Sequence, residues 1–504
     1  MDAIRSHPGS LATRTARPSR YSWISDTSTN RTSPGAATDL SSPARTLTCR
    51  HCDIRMVREA TMGETARPGQ TPSDRSGKIG GMSAASALPP GPPLPALVQT
   101  ALWLGSPTGF LERCARRYGD VFTLRLALGP PVVMVSDPAL VERVLTLDAE
   151  AASTGEENAI LAPLLGDRSV LMLDGPEHLR QRRLLLPFFH GERMRRQAGA
   201  IAAIVEASVA GWPRDRAFPL LPRLRAITFE VILRVVFDLA ESAELDDLRR
   251  SLQRLLRMGS SWMVVPALRR DLGPRSPWGR FVRLKAHVDE LLRDQVRRRR
   301  AAPEPGDGVI DVLLPEMDDA ELVDALVTVL VAGHETTATS LAWCFELLLR
   351  RPDLVERLRD DPDGSARLLD AVIRETLRVR PVFRYTSRRL RRPLALGAHT
   401  VPAGVAVAAS IYLAQRRPDR YDRPEAFRPE RFLDAQPGAG TWIPFGGGIR
   451  RCLGASFVTF EMAVVVRTVL EHARLRPASP RPERVALHAV TMVPGRGARV
   501  RMDP

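Results

Sequence analysis

The segment Phe445-Gly446-Gly447-Gly448-Ile449-Arg450-Arg451-Cys452-Leu453-Gly454 carries more chemical information than any other in this 504-residue chain. Three consecutive glycines before the cysteine allow a tight loop whose backbone comes close to a flat partner. Backbone N–H groups pointing at the sulfur favour thiolate over thiol. Arg450 adds positive charge and a planar fork suited to a carboxylate. Gly454 leaves room for a helix that begins near Ala455. The spacing Phe-x-x-Gly-x-Arg-x-Cys-x-Gly arises by chance in a chain of this composition roughly 10⁻⁴ times.

The other cysteines contrast with Cys452. Cys114 and Cys344 fall on helical patterns without partners and read as inert core thiols. Cys49 and Cys52 form one pair with no second pair to complete a zinc site. Five scattered cysteines argue against a disulfide scaffold and for a reducing compartment.

Upstream, a strongly apolar helical pattern from Leu322 to Leu349 contains Ala332-Gly333-His334-Glu335-Thr336-Thr337. Gly costs a helix interior about 1 kcal/mol, and threonines compete for backbone bonds, so a ligand is expected close by. Glu375 and Arg378 share one helical face, as do His178 and Arg182, whose two donors suit a bivalent anion. His334 reads as a solvated or core histidine.

These residues together resemble the cytochrome P-450 family, in motif order over residues 82–504. The resemblance implies a mostly α fold with small β-sheets. Haem b would lie in one large domain, between an oxygen-activating helix and the cysteine loop. By the same resemblance Cys452 is the iron ligand, in a loop that includes Phe445 and Gly446, and its electron donation favours O–O cleavage. Glu335 and Thr336 become the acid and alcohol that deliver protons during oxygen activation. His178, Arg182, Arg388 and Arg450 become propionate ligands, with Arg389 the adjacent alternative to Arg388. Glu375, Arg378 and Arg431 become a buried brace rather than catalysts.

Substrate contacts are then expected in segments 150–172, 240–275, 325–336, 382–387 and 488–493. The second holds the apolar cluster Trp262-Met263-Val264-Val265-Pro266. A lipophilic small molecule is the expected substrate, with fatty acid, terpenoid, steroid and polyketide all open. Dioxygen is the co-substrate. No flavin or nicotinamide fingerprint lies in the chain, so electrons are expected from a ferredoxin- or flavodoxin-type donor with its reductase. Such an acidic donor would dock near Arg180, Arg183 and Arg451. Two alternatives accompany this haem-thiolate monooxygenase: a peroxide-driven hydroxylase, and a haem-binding sensor without turnover.

Composition narrows the field. The chain is 44% apolar and 26% charged, which fits a globular protein. Its +16 charge comes from 73 basic residues, of which only Lys78 and Lys285 are lysine. That bias reads as GC-rich coding, and without a recognition helix or finger no nucleic-acid partner is expected. The longest apolar candidate, Val405 to Ala414, is too short to span a membrane, so no transmembrane anchor and a cytoplasmic location are expected.

Residues 1–81 are rich in Ser, Thr, Arg, Gly and Pro and read as a disordered extension, with Met82 a candidate true start. Beyond the stiff Leu88–Pro95 run, a helix should end near Tyr118. A strand pair should follow at 121–126 and 132–135, then a helix start at Asp137-Pro138. Helical patterns fill 192–210, 222–257, 278–300, 318–350 and 366–379, and strand-like pieces recur near 393–411 and 484–500.

Overall fold

The computed structural model describes residues 88–503, apart from positions 128, 240–241, 263–268, 271, 305, 307, 362–363 and 435. The expectations for residues 1–81, including Met82 and the Cys49–Cys52 pair, therefore lie outside the described residues, as do Met263 to Pro266.

The fold is mostly helical with small sheets, as expected, and is organised around the helix Asp319–Leu348. Asp318 caps it by accepting from the Glu321 N–H at 2.9 Å. Thirty residues give it a length of about 45 Å. Leu322, Leu326, Leu330, Leu341 and Phe345 are almost fully buried, because helices pack around it. Leu221–Glu230, Pro277–Ala301, Ala366–Val379 and Ala455–His472 all lie against it. The helix runs unbroken through Gly333 to Thr337, so the polar insert does not interrupt it.

Gly333 has a packing role that the sequence does not show. A Cβ there would stand 3.0 Å from the Ile232 side chain. The glycine thus lets the segment after Leu221–Glu230 pack closely on the central helix.

Three predicted helices are shorter than their patterns. The first divides into Ala96–Gly105 and Gly109–Tyr118, because Pro107 lacks a backbone donor. The 192–210 pattern divides into Gly191–Arg196 and Ala198–Ala210. The 222–257 pattern ends Leu221–Glu230 in a wide turn of π-helix, Val231–Val236, and resumes as Ala243–Trp262. Asp238 between them takes a left-handed φ of 56°. Apolar periodicity persists through this break because both sides are buried, so hydropathy alone does not reveal it.

The predicted strands form as Val121–Leu124 and Val132–Val135, and Asp137 caps the next helix by accepting from Leu140 N–H at 3.0 Å. They join a five-stranded sheet in the order Val121–Leu124, Val132–Val135, Ala406–Ala409, Thr386–Leu390, Ala152–Ser153. The pairing of Val132–Val135 with Ala406–Ala409 is parallel, and the rest are antiparallel. Strand Thr386–Leu390 presents Arg388 and Arg389 on opposite faces.

The Glu375–Arg378 pair is wholly buried, with bonds of 2.7 and 2.8 Å. Arg431 donates to the same carboxylate at 3.1 Å, and the Arg428 backbone N–H at 2.8 Å. Arg378 also reaches the carbonyls of Gln415, Pro424 and Ala426. Replacing Glu375 by Ala strands a desolvated guanidinium and should cost about 3–5 kcal/mol. Urea denaturation of Glu375→Ala against the parent checks this, and a loss below about 1 kcal/mol would remove the bracing role.

Candidate functional site: the cysteine loop and the helix facing it

Cys452 sits at the end of a short turn, Gly448–Arg450, immediately before Ala455–His472. Its backbone N–H donates to the Phe445 carbonyl at 2.9 Å, which closes the loop. Gly446 and Gly448 adopt left-handed φ values of 67° and 61°. A Cβ on Gly448 would strike the Leu145 carbonyl at 2.1 Å, and one on Gly447 the Leu145 side chain at 2.9 Å. Two of the three glycines therefore serve the packing of this loop on the helix Pro138–Leu145, while Gly446 faces open space. Phe445 stands edge-on to Trp442, with ring centroids 6.1 Å apart.

The thiol is accessible to solvent-sized space, although protein surrounds it. Burial pushes its pKa up, and this outweighs the Gly454 N–H and the nearby Arg182 and Arg451, which pull it down. The expected donor is present, since the Gly454 N–H favours the thiolate, but burial works against it. Cys114 and Cys344 are buried, with thiol pKa values pushed up by burial to about 11 and about 12, and read as inert core.

The helix Gly175–Leu185 carries His178, almost fully buried, and Arg182, whose guanidinium donates to the Arg451 carbonyl at 2.7 Å. Arg388 is buried on its strand, and its Nε lacks a partner, as does His178 Nδ1. Arg389 instead pairs with Glu157 at 2.5 Å, so Arg388 is the one turned inward. Arg450 reaches the Val170 carbonyl at 3.2 Å, the Leu173 carbonyl and the Asp174 carboxylate.

Asp174 carries no signal of its own in the sequence, although it is the residue before the helix Gly175–Leu185. Its carboxylate makes no cap there and accepts instead from Ser153, Thr154 N–H, Gly155 N–H and Arg450. Burial opposes its ionisation, but these donors win and hold it below the usual carboxylate range.

Burial, together with repulsion from Arg450 and Arg182, pushes the His178 pKa down to about 4. Burial and Arg450 push Arg388 down to about 10. Three guanidinium groups and the His178 imidazole thus gather near one carboxylate, and Arg388 Nε and His178 Nδ1 have no partner. The arrangement fits a ligand bearing two carboxylates, such as the propionates of haem b.

On the central helix, Ala332 is exposed while its neighbours in the sequence are partly or fully buried. Thr336 lies one turn along the same face, and its hydroxyl donates to the Ala332 carbonyl at 2.5 Å. Glu335 turns elsewhere and pairs with Arg225 at 2.5 Å. Nothing in the sequence distinguishes Arg225 from Arg223 and the other arginines of its helical pattern. His334 is a core residue: it meets the Thr228 hydroxyl at 3.1 Å and the Phe229 ring edge-to-face.

Burial and Arg225 lower the His334 pKa from 6.5 to about 4. The unfolded chain therefore takes up a proton that the folded chain refuses between these values. This contribution is whole above pH 6.5 and is lost as pH falls towards 4. His334→Gln should flatten the stability-against-pH curve over pH 4.5–6.5 by up to about 2 kcal/mol. Chemical denaturation at several pH values checks this, and an unchanged slope would contradict it.

Among the described residues no group of three His, Cys, Asp or Glu side chains could hold a metal, and no helix is long and apolar enough to cross a membrane. A sequence model of the Cytochrome P450 family matches residues 89–498. Cytochrome P450 135B1 of Mycobacterium tuberculosis is 40% identical over 436 residues, covering 83% of this chain and 92% of the relative. Cytochrome P450 137 of the same species is 36% identical over 434 residues, covering 82% and 91%. Among solved structures, CYP175A1 from Thermus thermophilus aligns with a TM-score of 0.67 at 27% identity, covering 81% and 98%. The retinoic acid-bound cyanobacterial CYP120A1 aligns at 0.72 and 23% identity, covering 82% and 99%, and shows the shared fold. With the cysteine loop, its cationic surround and these matches in agreement, the chain belongs to the cytochrome P450 family, whose members are haem b-containing monooxygenase oxidoreductases.

Proposed function

We propose that this protein inserts one oxygen atom from dioxygen into a lipophilic small molecule, using electrons from a separate ferredoxin- or flavodoxin-type donor and its reductase. The observation that carries this reading is the accessible Cys452 thiol beside a partly unsatisfied cationic cluster. When bound, haem b supplies the reductive cleavage of dioxygen, with thiolate donation as its protein-tuned component.

In this reading Cys452 ligates the iron, and the Gly454 N–H and Arg182 stabilise the charge its sulfur then carries. His178, Arg182 and Arg388 bind propionates. Arg450 anchors the 170–174 loop through Asp174 and completes that positive surround. Phe445 and Gly446 form the wall and turn of the loop beneath the cofactor. Thr336 presents its hydroxyl from the exposed face of the central helix and positions a proton there. Glu335 would serve as the acid of this pair, with its carboxylate anchored by Arg225.

Electron delivery on the cysteine side would use Arg183 and Arg451, both exposed. Arg180 suits this less, since it is paired with Glu321. The haem domain would span 82–504, an extent that the family match over 89–498 supports. A reducing, cytoplasmic setting suits the free thiols of Cys114 and Cys344.

The test is spectroscopic, then kinetic. Reduced protein with carbon monoxide should give a strongly red-shifted Soret band, absent in Cys452→Ala. Haem bound without that shift would overturn the thiolate assignment. Thr336→Ala should lower product formed per reducing equivalent several-fold while leaving the carbon monoxide spectrum intact, and full retention of coupling would remove its role. Equal coupled turnover with peroxide alone would favour the peroxide-driven alternative.

A further inference from the structure

A second basic site lies away from the cysteine loop, at the far end of the helix Ala455–His472. A cavity of about 390 Å³ opens there, lined in part by Arg214, Arg359, Arg467, Arg474, Glu471 and Asp503. We propose that it binds a phosphate-bearing small molecule.

The charge distribution carries the argument. Four guanidinium groups and two carboxylates line the cavity. One of those carboxylates, Asp503, is already held by Arg476 at 2.9 Å. Arg359 is fixed in place, donating to the Leu470 carbonyl at 3.1 Å and the Ala473 carbonyl at 2.8 Å. Those bonds satisfy the last turn of the helix but supply no counter-charge of full strength. Arg467 is almost fully buried and contacts the Leu358 carbonyl and the Ser365 hydroxyl, so it forms a rigid wall. Arg474 and Arg214 are exposed at the mouth, and no described carboxylate forms an ion pair with either.

Repulsion is visible within the group. Burial, then the nearby Arg474, lowers the Arg359 pKa. Bringing a polyanion into the cavity would relieve both effects, because desolvated arginines gain most from a bidentate oxyanion. A phosphate suits the site better than a single carboxylate: it carries up to two charges on oxygens that several forks can share. A surface arginine in solvent would lose nothing by being alone. Arg359 differs because it is held, partly buried, and faces a second guanidinium.

The probe is pyrophosphate, titrated into the haem-loaded full chain by calorimetry, with succinate and sodium chloride at matched ionic strength. Saturable binding of pyrophosphate is expected, at least ten-fold tighter than succinate, and weakening as salt rises. Arg474→Glu should weaken it at least ten-fold. Arg116→Glu, an exposed arginine on the helix Gly109–Tyr118, should leave it within two-fold. Arg359→Gln tests the fixed wall, and Arg474→Glu keeps the test valid if loss of the helix-end bonds prevents Arg359→Gln from folding. Non-saturable binding, an equal response to chloride, equal loss in Arg116→Glu, or tighter binding of succinate would each overturn the proposal.

Discussion

A carboxylate with no access to water, Glu375, organises the half of the molecule that presents Cys452. Its charge is held by Arg378, Arg431 and the Arg428 N–H. Arg378 in turn ties down the carbonyls of Gln415, Pro424 and Ala426. Gln415 continues the chain of contacts, donating to the Leu377 carbonyl and accepting from the Ile443 N–H at 2.9 Å. Ile443 stands two residues before Phe445, so one buried ion pair sets where the cysteine loop begins. The desolvation penalty makes every partner obligatory, which is why so irregular a segment is held so firmly.

The second constraint is the crowding of positive charge beside that loop. Asp174 alone cannot neutralise Arg182, Arg388 and Arg450. Burial and mutual repulsion leave His178 neutral near pH 7 and Arg388 easier to deprotonate than a free arginine. A bound dianion would oppose both effects, while Arg450 already ties the 170–174 loop to the cysteine loop. The same logic, in weaker form, applies at the arginine-lined cavity near the other end of Ala455–His472.

The central helix shows how differently neighbouring residues are used. Gly333 serves close packing, His334 the core, Glu335 a salt bridge, and Thr336 the exposed face. Four consecutive positions point in four directions because each turn advances about 100° per residue. The sequence motif was therefore legible as a unit, while the assignment of purposes within it was not. Gly333 illustrates the limit. Its cost to a helix signals a reason for being there, but only its distance to Ile232 identifies the reason.

The amino-acid sequence by itself determined the helix-rich class, the cysteine loop, the Glu375–Arg378 pairing and the strand pair Val121–Leu124 and Val132–Val135, but not strands such as Thr386–Leu390 and Ala152–Ser153. These follow from periodicity, from capping at Asp137, and from the fixed reach of residues three or four apart. Tertiary structure decided what depends on charges meeting across hundreds of residues. It turned Arg388 inward and Arg389 towards Glu157, because a strand turns alternate side chains to opposite faces. It brought Arg225 to Glu335 and made Asp174 the acceptor for Arg450. It also split the 222–257 helix, where an apolar run conceals the break, and set burial against the thiolate of Cys452. Burial is a property of the assembled fold, and there its penalty exceeds the help of the local N–H and the neighbouring arginines.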